Sequence, residues 1–285
     1  MRILPTTVVA LVTSVVLHVP ALAQTSVTSS AHAGSDPGQV HAGGPHLHVN
    51  DRWRECSFQL DPSLTRKAWR QFTREAALVA YFRPLADARP LGRGHVEVAA
   101  LQWGTAIDAS DAAWNDTFVH PDSTHWLFEG SALRFPGIMV RSGVSDRTDI
   151  GLYVTKSPGA NYGFIAGQVQ HSLTDAASAW GMAARLSVMS LYGPEDIGLT
   201  VYGADALASR TMNITQRVSV SPYAGVSTYL SSSRERSSVV QLQDERAIGV
   251  QGMVGAAVSL AFVRLGVEYS VASVPTLSLK VGLGR

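Results

Sequence analysis

The chain has one cysteine, Cys56, in 285 residues, so no internal disulfide framework can hold it together. It also lacks an apolar run long enough for a membrane helix. Its best window, Ile248 to Leu265, is interrupted by Gln251, Gly252, Gly255, Ser259 and Arg264, which excludes a helical membrane protein. Charge is scarce and nearly balanced, at 16% of residues and a net +1, so no strong field would draw nucleic acid. There is no phosphate-binding glycine loop, no dinucleotide fingerprint and no CxxC, and no basic-aromatic platform for a single strand. Cys56 lies well beyond the N-terminal region where a lipoprotein is acylated, and reads as a buried or shielded thiol.

What is present is 46% hydrophobic residues without a long block, and 25 glycines. Residues 1–23 read as a secretory signal peptide. Arg2 supplies the positive start, Val8 to Val12 and Val15 to Leu17 the apolar core, and Ala21-Leu22-Ala23 the small-x-small cleavage site, so the mature chain would begin at Gln24. Residues 24–60 read as a disordered linker rich in Ser, Gly and His, with too few large apolar residues to offset the entropy of ordering. Its histidines, His32, His41, His46 and His48, have no spacing that fixes a coordination geometry, so no metal or other cofactor is expected.

A helix is predicted over residues 61–80, within a periplasmic helical segment spanning 61–93. Asp61 is the expected N-cap, Pro62 the first helical residue, and Leu64, Ala68, Phe72, Ala76 and Val79 one apolar stripe. Arg66, Lys67, Arg70 and Arg74 lie off the stripe. The helix is expected to cap the periplasmic mouth by packing; plugging the barrel or lying on a membrane surface is the functional alternative.

From residue 94 the texture changes to alternation cut by turn residues every ten or so positions. Leu277, Leu279, Val281 and Leu283 alternate with Ser278, Lys280, Gly282 and Gly284. Val263, Leu265, Val267, Tyr269 and Val271 alternate with Arg264, Gly266, Glu268 and Ser270. The segments with Trp180, Met182, Leu186 and Val188, with Ile197, Leu199 and Val201, and with Val218, Val220, Val226 and Leu230 repeat the pattern less purely. One face is apolar and the other small or charged, as in a strand with lipid outside and a polar lumen inside. Ten strands are expected, at 94–104, 132–143, 147–156, 160–171, 178–191, 196–208, 214–230, 246–260, 262–272 and 275–284. The fold class is therefore all-β, a closed antiparallel up-and-down transmembrane β-barrel of about ten strands over residues 94–285, preceded by a short N-terminal helix. With the first strand starting in the periplasm, the longest connections, 105–131 and 231–245, fall outside the cell. Trp103, Tyr153, Tyr162, Trp180, Tyr192, Tyr202, Tyr229 and Tyr269 are candidates for an interfacial girdle.

On Ser219-Val220-Ser221-Pro222-Tyr223-Ala224-Gly225-Val226 and the stretch Val263 to Gly284, the chain resembles the broad class of bacterial outer-membrane β-barrel proteins. The resemblance implies an outer-membrane location, contact with outer-membrane lipids and handling by the barrel assembly machinery. Such barrels usually end on an aromatic residue; this chain ends Gly282-Leu283-Gly284-Arg285.

For chemistry, His120, His125, Asp122 and Ser123 in the loop 105–131 offer a weak alternative as a catalytic or metal set, against an ordered outer loop whose aromatics pack together. Arg185, Arg217, Arg264, Glu268 and Lys280 are expected to face the lumen and to fill it or leave it narrowly open. The expected function is non-enzymatic: a structural or surface-interaction role, or a narrow solute channel, with a small solute or extracellular ligand at the outer loops and no nucleic-acid partner. The alternatives are a barrel hydrolase acting on lipids or surface polymers, and a soluble periplasmic β-sandwich binding protein.

Overall fold

The structure, a computed structural model, describes residues 60–108, 110–118, 132–156, 162–175 and 178–284. The signal peptide, nearly all of the linker, Cys56, His120, Asp122, Ser123 and His125 lie outside these residues.

Eleven strands form one sheet: β1 (Val96–Ala106), β2 (Ala132–Gly143), β3 (Thr148–Lys156), β4 (Gly163–Ser172), β5 (Trp180–Tyr192), β6 (Ile197–Arg210), β7 (Met212–Thr215), β8 (Val218–Glu235), β9 (Glu245–Leu260), β10 (Val263–Val271) and β11 (Thr276–Gly284). All pairings are antiparallel between neighbours, and two of them close the ring. β1 pairs with β11 from Glu97 opposite Gly284 to Thr105 opposite Thr276, and β6 pairs with β8 from Ile197 opposite Glu235 to Ser209 opposite Tyr223. The result is a ten-strand closed barrel, which removes every long unpaired edge and excludes a sandwich of two packed sheets. β7 is the extra strand. It carries the β6 edge onward along the start of β8, so the stretch expected as one strand at 214–230 is a short strand, a turn and a long strand. Arg217 sits exposed in that turn rather than in the lumen, because the hairpin folds at the rim, beyond the ring.

The surface is inverted relative to a water-soluble protein. Ile248 is 79% exposed and Val250 77%, and Leu152, Leu186, Val226, Met182 and Leu283 also point outward. The alternate positions, among them Glu97, Arg141, Asp149, Arg185, Asp205, Glu268 and Lys280, are buried inside the ring. A soluble monomer does not expose so continuous an apolar surface, whereas a lipid-facing barrel requires it. Lipid in the bilayer core offers no hydrogen bonds, and ring closure satisfies every ladder group internally.

One parity expectation is reversed. Ile197, Leu199 and Val201 of β6 face inward and are buried. The reason is local: this mouth is filled by a hydrophobic cluster, so its inward positions are apolar.

That cluster is built on helix α1 (Arg66–Val79). The helix starts later than expected. Thr65 caps it by accepting from the Ala68 amide at 3.2 Å, while Asp61 holds a tight turn by accepting from the Ser63 amide at 2.7 Å. Ala68, Trp69, Phe72, Thr73, Ala76, Ala77, Leu78 and Val79 are buried. Phe72 meets Trp69 in a stacked contact at 5.8 Å and Trp114 and Phe118 edge-on at 5.0 and 5.3 Å. Trp114 belongs to the one-turn helix α2 (Ala112–Asn115), and Leu60 forms an isolated bridge with Phe118, so the β1–β2 connection is stitched to α1. Phe72→Ala is expected to cost about 3–5 kcal/mol of helix docking. Hydrogen exchange should show faster exchange over residues 66–79 with the strands still protected; unchanged protection there would refute the packing account.

Candidate functional site

The buried charges of the described residues converge in the lumen, and the chain itself occupies it. Helix α1 lies at the mouth where the long connections emerge. Arg66 and Arg70 pair with Glu245, the Trp69 indole donates to the Gln243 carbonyl at 3.2 Å, and the Leu60 amide donates to Asp196. The expectation that α1 caps the mouth opposite the long loops is therefore corrected: helix and loops share one mouth. β1 begins at the other end, beside the short turns. Residues 80–95 consequently run through the barrel from the loop mouth to the short-turn mouth. Fully extended, the 12 residues from 80 to 91 reach about 40 Å, enough to traverse a hydrocarbon layer of about 30 Å.

Contacts follow this segment downward. Trp103 on β1 donates to the Val79 carbonyl at 3.1 Å. The Tyr81 hydroxyl donates to Asp205 of β6, whose other oxygen takes Arg185 of β5. Arg83 is 1% exposed and donates to its own chain at the Tyr81 and Leu78 carbonyls, to Ser270 at 3.1 Å and to Gln251 at 3.2 Å. Lower down, wall side chains bond the segment's backbone. Gln170 donates to the Asp87 carbonyl, Ser172 to the Ala88 carbonyl at 2.7 Å and the Leu91 amide to Asp149. These bonds answer where an unpaired buried backbone finds its partners: in inward side chains of the strands, in place of a ladder. The wall also makes room. A Cβ on Gly203 would lie 2.6 Å from the Tyr81 hydroxyl, and one on Gly143 only 1.9 Å from the Gly92 carbonyl oxygen.

Two charge networks line the interior. Near the short-turn mouth, Lys280 pairs with Glu97 at 2.7 Å, and Arg141 bridges Glu97 at 3.1 Å and Asp149 at 2.9 Å. At mid-height lie Arg185–Asp205 and, from the opposite wall, Glu268 accepting from Tyr223 at 2.9 Å. Of the residues expected in the lumen, Arg185, Glu268 and Lys280 are buried there and Arg264 lines a cavity at the short-turn end; Arg217 is excluded as described. Arg264 donates to the Ser259 hydroxyl, whereas Glu268 accepts from Tyr223 and Ser270; the two do not pair. The sequence reading missed Tyr81, Arg83, Glu97, Arg141, Asp149 and Asp205. Asp205 shares the parity of Ile197, Leu199 and Val201, and Arg141 that of Met139, so alternation alone placed both on an apolar face; the only signal was a charge inside a strand.

The proposed aromatic girdle divides. Trp180, Tyr192, Tyr202 and Tyr269 are outside, but Trp103, Tyr153, Tyr162 and Tyr229 are interior packing, with Trp103 and Tyr153 rings 5.1 Å apart. No group of three or more His, Cys, Asp or Glu able to hold a metal occurs among the described residues.

No known family model matches the chain, and no curated protein matches it. Solved structures do. The attachment invasion locus protein Ail of Yersinia pestis is 12% identical over 68% of this chain and 99% of that one, with a TM-score of 0.28. Neisserial surface protein A is 12% identical over 67% and 94%, TM-score 0.31. The beta domain of the Bordetella autotransporter BrkA is 10% identical over 67% and 98%, TM-score 0.40. Closed ring, lipid-type exterior and charged interior give this chain the fold of an outer-membrane β-barrel.

Proposed function

We propose that this chain is an exported, non-enzymatic outer-membrane protein whose barrel is kept shut by its own N-terminal segment and which presents helix α1 to the outside as an interaction surface. The observation that carries the reading is the path of the chain: α1 at the long-loop mouth, residues 80–95 through the lumen, β1 starting at the other end. Long outer loops and short periplasmic turns are the rule for this architecture. With that orientation α1 faces the cell exterior, against the expectation of a periplasmic helical segment.

The exposed face of α1 suggests what it meets. Its exposed side chains are Arg66, Lys67, Arg70 and Arg74, all cations. Glu245 partners two of them, and one carboxylate cannot neutralise four charges. Arg66, Arg70 and Arg74 recur at one helical turn, about 6 Å apart. Such a row fits an extended anionic surface polymer. The signal-like N-terminus supports export, and the lipid-type exterior supports contact with outer-membrane lipids. Passage through the barrel assembly machinery is part of the same proposal.

An epitope inserted after Gly43 and another after Ser145 test the topology in intact bacteria. The first is expected to bind antibody on whole cells, and the second only after the outer membrane is permeabilised. The reverse pattern would overturn the orientation, and recovery of the protein in a soluble fraction would overturn the membrane reading itself.

A further inference from the structure

Charges at the short-turn mouth are not used up by closing the lumen. A cavity of about 220 Å³ lies there between threaded residues of 86–91 and the walls of β1, β2, β8, β9, β10 and β11. Four cations line it, Arg89, Arg141, Arg264 and Lys280, against two carboxylates, Asp87 and Glu97. Glu97 is already held by both Lys280 and Arg141. Neither the Arg264 nor the Arg89 guanidinium has a carboxylate within 4 Å among the described residues: Arg264 donates to the Ser259 hydroxyl and acts on Glu97 only from farther off, and Arg89 donates to the Ser178 carbonyl. Three guanidinium Nε–H groups, on Arg89, Arg141 and Arg264, are buried without any hydrogen-bond acceptor. Arg141 is 3% exposed, so its spare donor cannot turn to bulk water. No protein acceptor among the described residues reaches these three donors, so whatever fills the cavity, water or an anion, accepts from them.

We propose that this cavity is an anion site for a phosphate-type tetrahedral oxyanion, either free in solution or as a lipid headgroup at the membrane edge. The chemistry fits. Guanidinium forks suit multi-oxygen anions, and the hydroxyls of Ser219 and Ser259 add further donors at the rim. The volume corresponds to about seven waters at about 30 Å³ each, which admits the anion with part of its hydration. The bound anion ties β1, β2 and β10 to the threaded segment and so locks the plug at its lower end. This assignment goes beyond the surface role and holds whichever side of the membrane the mouth faces.

The test uses full-length protein folded in uncharged detergent and inorganic phosphate as the probe, titrated calorimetrically at constant ionic strength against sodium chloride. Saturable one-site binding is expected. Arg264→Gln and Arg89→Gln lie outside the Glu97–Arg141–Asp149–Lys280 network and should keep the fold, checked by the heat-dependent gel shift. Each should weaken phosphate binding by about tenfold or more, as expected for losing one charge-assisted bond. Arg264→Lys, which keeps the charge but loses the fork, should bind at an intermediate level. A short-chain phosphatidic acid is added as competitor: displacement of phosphate assigns the site to a headgroup, and no displacement assigns it to the free anion. Absence of saturable binding for both probes at millimolar concentration, or equal affinity in the parent and both glutamine variants, would overturn the proposal.

Discussion

Deleting residues 60–91 should turn a silent barrel into a conducting one. In planar bilayers the intact protein is expected to show no sustained ion current, because Tyr81, Phe82, Arg83 and Leu85 are each about 1% exposed or less and fill the middle of the ring. The shortened protein keeps the ring, whose ladders involve only residues 96 to 284, and loses the material inside it. A ten-strand ring is somewhat wider than the eight-strand size that side chains alone can fill, so an emptied lumen should pass small ions. Its wall would carry Arg141, Arg185, Lys280 and the facing carboxylates, and current should depend on salt as charged pores do. Equal silence from a deletion protein that still shows the heat-dependent gel shift would mean that wall side chains close the lumen unaided. Steady current through the intact protein would instead establish the narrow-channel reading.

Asp205→Ala should be the most damaging single substitution in the lumen. Asp205 holds both the Arg185 guanidinium, whose side chain is 1% exposed, and the Tyr81 hydroxyl of the threaded segment. Removing it strands a buried cation, which typically costs about 3–5 kcal/mol. Urea unfolding of the protein refolded in micelles should record the loss. Replacing both partners, with Arg185→Met beside Asp205→Leu, should recover much of it, since well-packed apolar pairs often match or exceed a buried ion pair. A single-variant loss below about 1 kcal/mol, the scale of solvated pairs, would show that water reaches mid-lumen and that the plug is loose.

Most of the ring was legible in the alternation. A period of two with Leu277, Leu279, Val281 and Leu283 on one side admits only one lipid face, since a slip of one residue would bury all four and expose Lys280. Most observed strand ends fall within about two residues of those expected; β4 starts three residues late at Gly163, β8 runs five residues past its expected end to Glu235, and residues 212–217 fold back. There the alternation runs through β7, the turn and β8 without a break in composition, and only the pairing of Met212 with Val220 reveals the fold-back.

The interior was legible only in part. Charged residues at small-side positions can be assigned to the inside from parity alone, as Arg185, Glu268 and Lys280 were. Their partners cannot, because Glu97, Arg141 and Asp149 come from three strands that register brings together. Nor does a helical stripe say which surface it will cover. Ala68, Phe72 and Ala76 would pack equally well over either mouth, and the choice rests on Trp69 meeting the β8–β9 connection and Phe72 meeting Trp114.

By itself, then, the sequence determined the strand count to within β7, the face each strand shows to lipid in nearly every case, and the export signal pattern. These are local properties, set by side-chain period and by residue type over ten or so positions. Tertiary structure alone decided that residues 80–95 occupy the lumen, that Ile197, Leu199 and Val201 turn inward, and that α1 shares a mouth with the long loops. Each of these depends on what lies opposite a residue across the barrel, and a one-dimensional pattern carries no record of that neighbour.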